Sequence, residues 1–361
     1  MIRRVLAMGG VALAALGAGG HVAADAPSGP RLALLQLTSR PTSLAIATSD
    51  AALGEKVIVA GGRLHVRPLP FPFSAPAWSS DGSSIAFSGV EGSLHGLLQP
   101  QGRQLYVIQS DGAGLHAVPG TRGGFDPVFS PDGTTIAFAK RVNRRGRGRS
   151  AFGLIGWKGA TTWSVGVDGR GLRQLTDWAN GVEDLPSSFA PDGSVLGLTH
   201  RDVFHDRADA VALPLDERAP YVLARNAAWP RYSPDGSRIA FLWNHRVGDT
   251  SCCESGDGFS VDLYTMRADR SSRRRISDTP VKAERPASWD PSGERLVYTT
   301  KSAPTLQASG ELEAAVIEVN ADGTCPSRLS VPVPRGRGSR VFFFNPTWQP
   351  GLGREAGRIA C

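Results

Sequence analysis

Histidine and acidic side chains are the strongest candidates for chemistry in this sequence. Four histidines, several with aspartates nearby in the sequence, stand at His95, His200, His205 and His245. Three imidazoles with one carboxylate form a ligand set that suits a divalent metal ion. Because the sequence separates these histidines widely, they could equally lie apart on the surface or contact a partner one at a time. We expect no bound metal and no other cofactor.

Sequence signatures of catalysis are absent. The chain has no G-x-S-x-G nucleophile elbow, the motif that exposes a catalytic serine in α/β-hydrolases. Its four cysteines match no zinc motif, because no second C-x-x-C or H-x-x-x-H accompanies them. These observations favour a protein that is not an enzyme, and the question stays open at this point.

The basic charge of the chain does not indicate nucleic-acid binding. The net charge is +7, but only five of the 40 cationic residues are lysines. An arginine excess of this kind, beside abundant alanine and glycine, is typical of a GC-rich genome. The only dense basic run is RVNRRGRGR at 141–149, whereas nucleic-acid binders concentrate their charge on one face. We expect a solvated loop and no nucleic-acid partner.

The amino terminus has the layout of a secretory signal peptide. Two arginines precede an apolar stretch over residues 5–20, and Val22-Ala23-Ala24 places small residues before Asp25. We predict that residues 1–24 are a signal peptide. The mature protein would then be exported to the periplasm or the extracellular space, and would not span the membrane.

A repeat accounts for the chain after this segment. Six segments resemble one another: APAWSSDGSSIAFSG from Ala75, DPVFSPDGTTIAFAK from Asp126, PSSFAPDGSVLGLTH from Pro186, PRYSPDGSRIAFLWN from Pro230, RPASWDPSGERLVYTT from Arg285 and NPTWQPGLG from Asn345. Their turn glycines are 51, 60, 43, 57 and 58 residues apart. Such a period suits one small sheet plus a variable loop.

Each repeat predicts an aromatic strand, a tight turn and an apolar strand. In the turn, proline fixes φ, aspartate bonds its own backbone and glycine closes the turn. A third and a fourth strand follow after a variable loop. The residues that define the repeat are Trp78, Asp81 and Gly82; Phe129, Asp132 and Gly133; Phe189, Asp192 and Gly193; Tyr232, Asp235 and Gly236; Trp289 and Gly293; and Trp348. The fifth repeat departs from the pattern, because Ser292 replaces the turn aspartate.

These segments resemble the WD-like repeats of the TolB-type β-propeller family. The expected fold is all-β: a six-bladed β-propeller of four-stranded antiparallel blades. Only about ten residues follow the sixth turn, so we expect a composite blade with one C-terminal strand and three strands from residues 31–60. Seven blades would be the count if residues 56–74 form more than a loop. Residues 25–361 are expected to be propeller only, without the N-terminal domain of TolB.

Strand alternation divides the connections between two ends of the blades. With the strands of a blade named A to D, the A–B and C–D turns lie at one end, here called the turn end. The B–C and D–A connections lie at the other, the loop end, with insertions at 89–104, 140–160, 200–207, 244–261 and 301–313. Variable loops on rigid scaffolds commonly bind ligands. The candidate binding face therefore comprises His95, Asp126, Glu183, Asp184, His200, His205, His245 and Glu284.

Two of the cysteines are predicted to meet. Cys325 follows a C–D turn and Cys361 lies beyond the last A strand, both at the turn end. A disulfide between them requires Cα atoms within about 7 Å. Cys252 and Cys253 could form a vicinal disulfide, stay reduced or pair between chains, and the absence of any bridge remains an alternative.

The sequence thus predicts an exported non-catalytic scaffold that binds a protein or a cell-envelope component through its loop end. The alternative is a propeller hydrolase or lyase acting on a carbohydrate or lactone in the central channel. Propellers host both classes, so the fold does not decide between them.

Overall fold

The repeats form short β-strands. A computed structural model describes residues 31–39, 42–50, 56–61, 66–68, 75–91, 103–141, 159–205, 207–216, 218–244, 261–277, 282–284, 287–302, 314–329, 341–350 and 358–361. All regular structure in these ranges is β-strand, which confirms the predicted all-β class. Within the same ranges there is no helix of the length and apolarity needed to cross a membrane.

The first sheet combines the two ends of the chain. Its order is β26-β1-β2-β3, and its strands are β1 (Arg31–Ser39), β2 (Thr42–Asp50), β3 (Lys56–Gly61) and β26 (Val341–Trp348). The antiparallel pairing of β1 with β26 places Leu32 opposite Trp348. The second sheet, in the order β4-β6-β7-β8 with β5 also on β6, contains β4 (Val66–Pro68), β5 (Ala77–Trp78), β6 (Ser84–Glu91), β7 (Arg103–Gln109) and β8 (His116–Ala117).

The largest sheet consists of two antiparallel meanders. The first contains β9 (Gly124–Phe129), β10 (Thr135–Arg141), β11 (Gly159–Gly166) and β12 (Arg173–Gln174). The second contains β13 (Val182–Phe189), β14 (Val195–Asp202), β15 (Arg207–Pro214) and β16 (Tyr221–Ala224). A short parallel pairing of β11 with β13, from Gly159 to Val182, joins them.

Two further sheets complete the described strands. One, in the order β17-β18-β19-β20, contains β17 (Ala227–Tyr232), β18 (Arg238–Asn244), β19 (Val261–Arg267) and β20 (Arg274–Arg275). The other contains β21 (Lys282–Glu284), β22 (Ser288–Trp289), β23 (Arg295–Ser302), β24 (Ala314–Asn320) and β25 (Ser327–Arg328), with β21 and β22 both paired to β23.

The core lies between neighbouring sheets. Val107 of the second sheet packs in one apolar cluster with Phe129 and Phe138 of the next meander. Burial of such side chains from water is the main force that holds one sheet against another. The repeat tryptophans Trp78, Trp289 and Trp348 are all buried, as expected for residues between sheets.

The tight turns are held by a repeated set of hydrogen bonds. In the second repeat, the Ser130 hydroxyl donates to Asp132 Oδ1 over 2.5 Å, and the Thr134 amide donates to the same oxygen over 3.0 Å. Gly133 adopts φ of 70°, a conformation that glycine adopts at no steric cost. The aspartate therefore fixes the turn through its side chain.

The departure in the fifth repeat is an exchange of two residues. Asp290 occupies the position of the repeat serine and Ser292 that of the aspartate. The Ser292 hydroxyl donates to Asp290 Oδ2 over 2.6 Å, and the Arg295 amide donates to Asp290 Oδ1 over 2.9 Å. The turn keeps its serine–carboxylate bond with donor and acceptor positions reversed.

Successive A–B turns pack against one another. A Cβ atom at Gly193 would lie 3.9 Å from Pro131 of the preceding turn, and one at Gly236 would lie 3.4 Å from Pro191. The first and last turns meet in the same way, since a Cβ at Gly82 would lie 2.6 Å from the Pro350 carbonyl oxygen. Gln349 Nε2 also donates to the Gly82 carbonyl over 2.6 Å.

The same tryptophan bond occurs at two junctions between sheets. Trp289 Nε1 donates to the Arg231 carbonyl over 2.9 Å, and Trp78 Nε1 donates to the Thr347 carbonyl over 3.0 Å. In each case the acceptor precedes the aromatic residue of the preceding repeat. The junction that contains the C-terminal strand is thus built like an internal one.

A disulfide pins the carboxyl terminus at the turn end. Cys325 and Cys361 are bonded, with Cα atoms 5.2 Å apart, as the sequence predicted. The Ile359 amide donates to Asn320 Oδ1 over 2.8 Å, and Asn320 Nδ2 donates to the Ile359 carbonyl over 3.0 Å. Cys252 and Cys253 lie outside the described residues.

One expected insertion is a tight hairpin instead. Strand β14 continues through Asp202 and β15 begins at Arg207, so the connection placed at 200–207 contains only residues 203–206. His200 and Asp209 are register partners within the sheet. The polar residues at 200–207 indicated a loop, but backbone pairing extends β14 and β15 up to the pair Asp202–Arg207.

Candidate functional site

Part of the predicted loop-end set lies on three neighbouring strands. Asp126 is on β9, and Glu183 and Asp184 are on β13. His200 is on β14 and His205 lies in the β14–β15 connection. Glu284 ends β21, opposite Thr300, while His95 and His245 lie outside the described residues.

Asp184 and His200 form a hydrogen-bonded pair. They are register partners on β13 and β14, and His200 Nδ1 lies 2.7 Å from Asp184 Oδ1. The hydrogen bond to Asp184, followed by the charges of Asp184, Asp209 and Asp202, raises the pKa of His200 in spite of its partial burial. The buried carboxylate therefore orients the ring and stabilises its protonated form.

Glu183 and Arg201 form an ion pair one register position away. Arg201 Nη1 donates to Glu183 Oε2 over 3.3 Å; the Arg201 side chain is buried and the Glu183 side chain is 14% exposed. Because successive strand residues point to opposite faces, this pair lies on the face opposite Asp184 and His200. The two pairs neutralise acidic charge on both faces of the β13–β14 hairpin.

The connection between β14 and β15 is fixed by Asp202. The amides of Phe204 and His205 donate to Asp202 Oδ1 over 3.0 and 3.2 Å, and His205 Nδ1 lies 2.6 Å from Asp202 Oδ2. The Val203 amide donates to the Gly181 carbonyl over 2.8 Å. The hairpin tip is therefore tied both to itself and to the adjacent connection.

Asp126 is a buried carboxyl in a strained position. Its φ is 51° although Pro127 follows, a combination that sterics disfavour. Both carboxyl oxygens are buried without a hydrogen-bond partner. Burial raises the pKa of Asp126 well above its usual value; the nearby Arg231 and Arg141 oppose this rise and Glu183 adds to it.

Arg231 belongs to the same site and was missed by sequence analysis. Burial lowers its pKa to about 10, against the charge of Asp126, and its Nε atom is buried without a hydrogen-bond partner. The repeat nevertheless contains a feature that singles out Arg231. The residue before the aromatic is small or uncharged in the other five repeats (Ala77, Val128, Ser188, Ser288 and Thr347) and charged only at Arg231.

The arrangement can bind and exchange protons but does not gather a metal-ligand set. In the part of the chain that the structure describes, no three His, Cys, Asp or Glu side chains meet in a group that could hold a metal ion. His200 and His205 each contact one carboxylate instead. Polar groups from β9, β13 and β17 thus lie where the predicted loop end begins.

Comparison with known proteins finds a TolB relative by sequence. No protein-family model matches the chain. The Tol-Pal system protein TolB of Anaeromyxobacter dehalogenans (strain 2CP-C) is 27% identical in an alignment of 318 residues that covers 78% of this chain and 66% of that protein. The chain thus spans slightly less than two thirds of the length of this relative.

Solved structures agree in fold. A crystal structure of TolB from Acinetobacter baumannii superposes with a TM-score of 0.59 at 18% identity, covering 89% of this chain and 67% of that one. A protein from Agrobacterium tumefaciens described as a TolB gives 0.55 at 19% identity, covering 87% and 99%. The strands and repeats therefore define a β-propeller protein.

Its repeats identify the kind of propeller. The recurrent aromatic–turn–strand unit and the sequence similarity to TolB are found together in this chain. The chain is similar to proteins of the TolB-type β-propeller repeat family in sequence and in fold.

Proposed function

We propose that this chain is an exported, non-catalytic scaffold that binds a protein or another cell-envelope component through its loop end. In this proposal residues 1–24 are removed as a signal peptide. Residues 25–361 form one six-bladed propeller, closed by the sheet that contains β26 and β1. The packing of the first turn against the last, through Gly82 and Pro350, supports ring closure.

The binding role is supported by buried polar groups that have no hydrogen-bond partner, in contrast to the hydrogen-bonded aspartates of the turns. The Asp126 carboxyl on β9 and the Arg231 Nε on β17 are buried without hydrogen-bond partners. Such groups destabilise a fold unless something else satisfies them. A bound partner that supplies hydrogen bonds would account for both.

The similarity to TolB favours a protein partner. That relative is named as a component of the Tol-Pal system, and by analogy we propose a partner in the cell envelope. Since this chain spans 66% of the relative, the analogy is limited to the part that aligns.

Site-specific photo-crosslinking in the native host tests this proposal. The crosslinking amino acid is placed at exposed loop-end positions, Arg122 and Asn180, and at exposed turn-end positions, Arg170 and Ala219. We expect a discrete protein adduct from the loop-end positions alone. Adducts from the turn end alone, or none at any position, would count against the proposal.

A second candidate function is a hydrolase or lyase that acts on a carbohydrate or lactone. The Asp184–His200 pair favours it, because an imidazole oriented by a carboxylate is a common general base. Turnover of oligogalacturonate or simple lactones that His200→Gln abolishes would establish this function. If the wild-type protein turns over none of them, the scaffold role stands alone.

A further inference from the structure

We propose that the tip of the β14–β15 hairpin is the main anchor of the loop end, and that it docks an acidic protein surface with an apolar pocket. The tip comprises Val203, Phe204 and His205. This inference rests on the proposed scaffold function and names the chemistry of its partner.

The first observation is an exposed apolar side chain that is held in place. Phe204 is 67% exposed and the neighbouring Val203 is 40% exposed. The Phe204 ring covers Gly181 so closely that a Cβ atom there would lie 2.1 Å from the ring. With the Phe204 amide bonded to Asp202, the ring is pre-organised. Burying it in a partner therefore costs little conformational entropy.

The second observation is the direction of the charges around the tip. Two carboxylates are mostly buried, with 10% of the Asp184 side chain and 15% of the Asp209 side chain exposed, whereas the Asp202 side chain is 38% exposed and pairs with His205. The basic groups lie outside, with exposures of 77% for His205 and 69% for Arg225. Among the described residues at this tip, the surface that a partner meets is mainly basic.

Charge complementarity therefore selects the partner. Each histidine has its Nδ1 on a carboxylate, at 2.7 Å for His200 and 2.6 Å for His205. The Nε2 atoms remain to donate to an acceptor when the rings are protonated. A pocket rimmed by aspartate and glutamate matches an aromatic anchor with flanking imidazoles and arginines, as at other interface hot spots.

Protonation of His200 links this contact to pH. The charged groups that face its ring are Asp184 on β13, Asp202 on β14 and Asp209 on β15. All three favour the imidazolium, so an acidic partner should bind more tightly as the pH falls through the titration of His200. Exposed charges also make the affinity fall with added salt.

Panning of a phage-displayed library of random peptides of about twelve residues on the purified mature protein tests the inference. We expect enriched peptides that combine an apolar cluster with several acidic residues. Their affinity should fall about tenfold with Phe204→Ser and remain unchanged with Leu172→Ser, the matched control at another exposed apolar residue.

A charge variant covers the case in which Phe204→Ser perturbs the fold. The double variant His205→Gln with Arg225→Gln keeps the ring in place. It should weaken the same peptides about tenfold and reduce their salt dependence. Binding should also be several-fold tighter near pH 6 than near pH 8.

The outcomes separate this inference from the proposed function. Neutral or basic peptides, or acidic ones indifferent to Phe204 and to the charge variant, would overturn the hairpin anchor. Loop-end crosslinks at Arg122 and Asn180 would then still support a scaffold. Equal binding of polygalacturonate to wild-type protein and Phe204→Ser, with no peptide enrichment, would show a general polyanion surface and also overturn the inference.

Discussion

Carboxylates at the two ends of the sheets have opposite surroundings. At the turn end, desolvation opposes ionisation of Asp235, yet hydrogen bonds from Ser233 and Ser237 lower its pKa to about 2. At the loop end, burial raises the pKa of Asp126 well above its usual value, and no hydrogen bond offsets it. The first arrangement stabilises the fold. The second leaves a buried carboxyl without a hydrogen-bond partner, so the surroundings of an aspartate distinguish a structural role from the binding role that we propose.

The largest expected effect is the loss of stability when the disulfide at the turn end is removed. Cys325→Ser with Cys361→Ser should lower the free energy of unfolding by about 3–4 kcal/mol, because the bridge closes a loop with a sequence separation of 36 residues. Chemical denaturation with and without reductant measures this loss. Loop-end crosslinking at Asn180 should persist in the variant below its melting temperature. Loss of those crosslinks in folded protein would mean that the two ends are not independent.

Asp126→Asn should act in the opposite direction and stabilise the protein. The pKa of Asp126 is raised in the folded state. Its contribution to the free energy of unfolding is therefore complete below the pKa of the unfolded chain and is lost as the pH rises through the pKa of the folded protein. Near pH 8 the asparagine should gain about 1–3 kcal/mol, and near pH 4 almost nothing. Thermal melts across this range measure it. Destabilisation near pH 8 would show instead that Arg231 holds an ionised carboxylate there.

Asp235→Asn should destabilise, and only above acidic pH. The pKa of Asp235 is depressed from 3.8 to about 2, so its contribution is present above the unfolded value and is lost as pH falls towards 2. Solvent exposure reduces the expected loss at neutral pH to about 1 kcal/mol. Ser237→Ala is the matched control, because it removes one of the donors and should cost less. A loss that is equal at low and neutral pH would rule out the charge as the cause.

The smallest expected effect is at His200. Its pKa is raised above 6.5, so the stability it adds is complete below that value and is lost as pH rises through the folded value. Since the ring is half-exposed, His200→Gln should cost a few tenths of a kcal/mol near pH 6 and nothing near pH 8. Titration of the ring by NMR measures the shift directly. A ring that titrates below its usual pKa would contradict the pairing with Asp184.

Local repeat chemistry explains why so much of the fold was predictable. Each aromatic–turn–strand segment predicts its own strands from local sequence. The same holds for the turn glycine, as at Gly133 with its φ of 70°. The last of the three strands expected from residues 31–60, with the sequence KVIVA, lies in β3 (Lys56–Gly61). The pairing of Cys325 with Cys361 was also predictable, since both follow from counting strands.

The site was only partly predictable, because convergence depends on distant strands. Asp126 and Arg231 are more than a hundred positions apart, and no local pattern shows that their charges interact. The pairing of Asp184 with His200 depends on the register of β13 and β14, which a β-bulge between Pro186 and Ser188 shifts. Polar residues near Phe204 indicated a long loop, and strand pairing shortened it to a hairpin.

The pairing of β1 with β26 also has a consequence for how the chain is made. Among the described strands, β1 is synthesised first and β26 last, and until β26 is made the edge of β1 offers unpaired amides and carbonyls to any other strand. Contacts so distant in sequence form slowly. During synthesis the nascent chain therefore presents an open sheet edge, and a chaperone that shields β1 until residues 341–348 are made would cover the period of greatest aggregation risk.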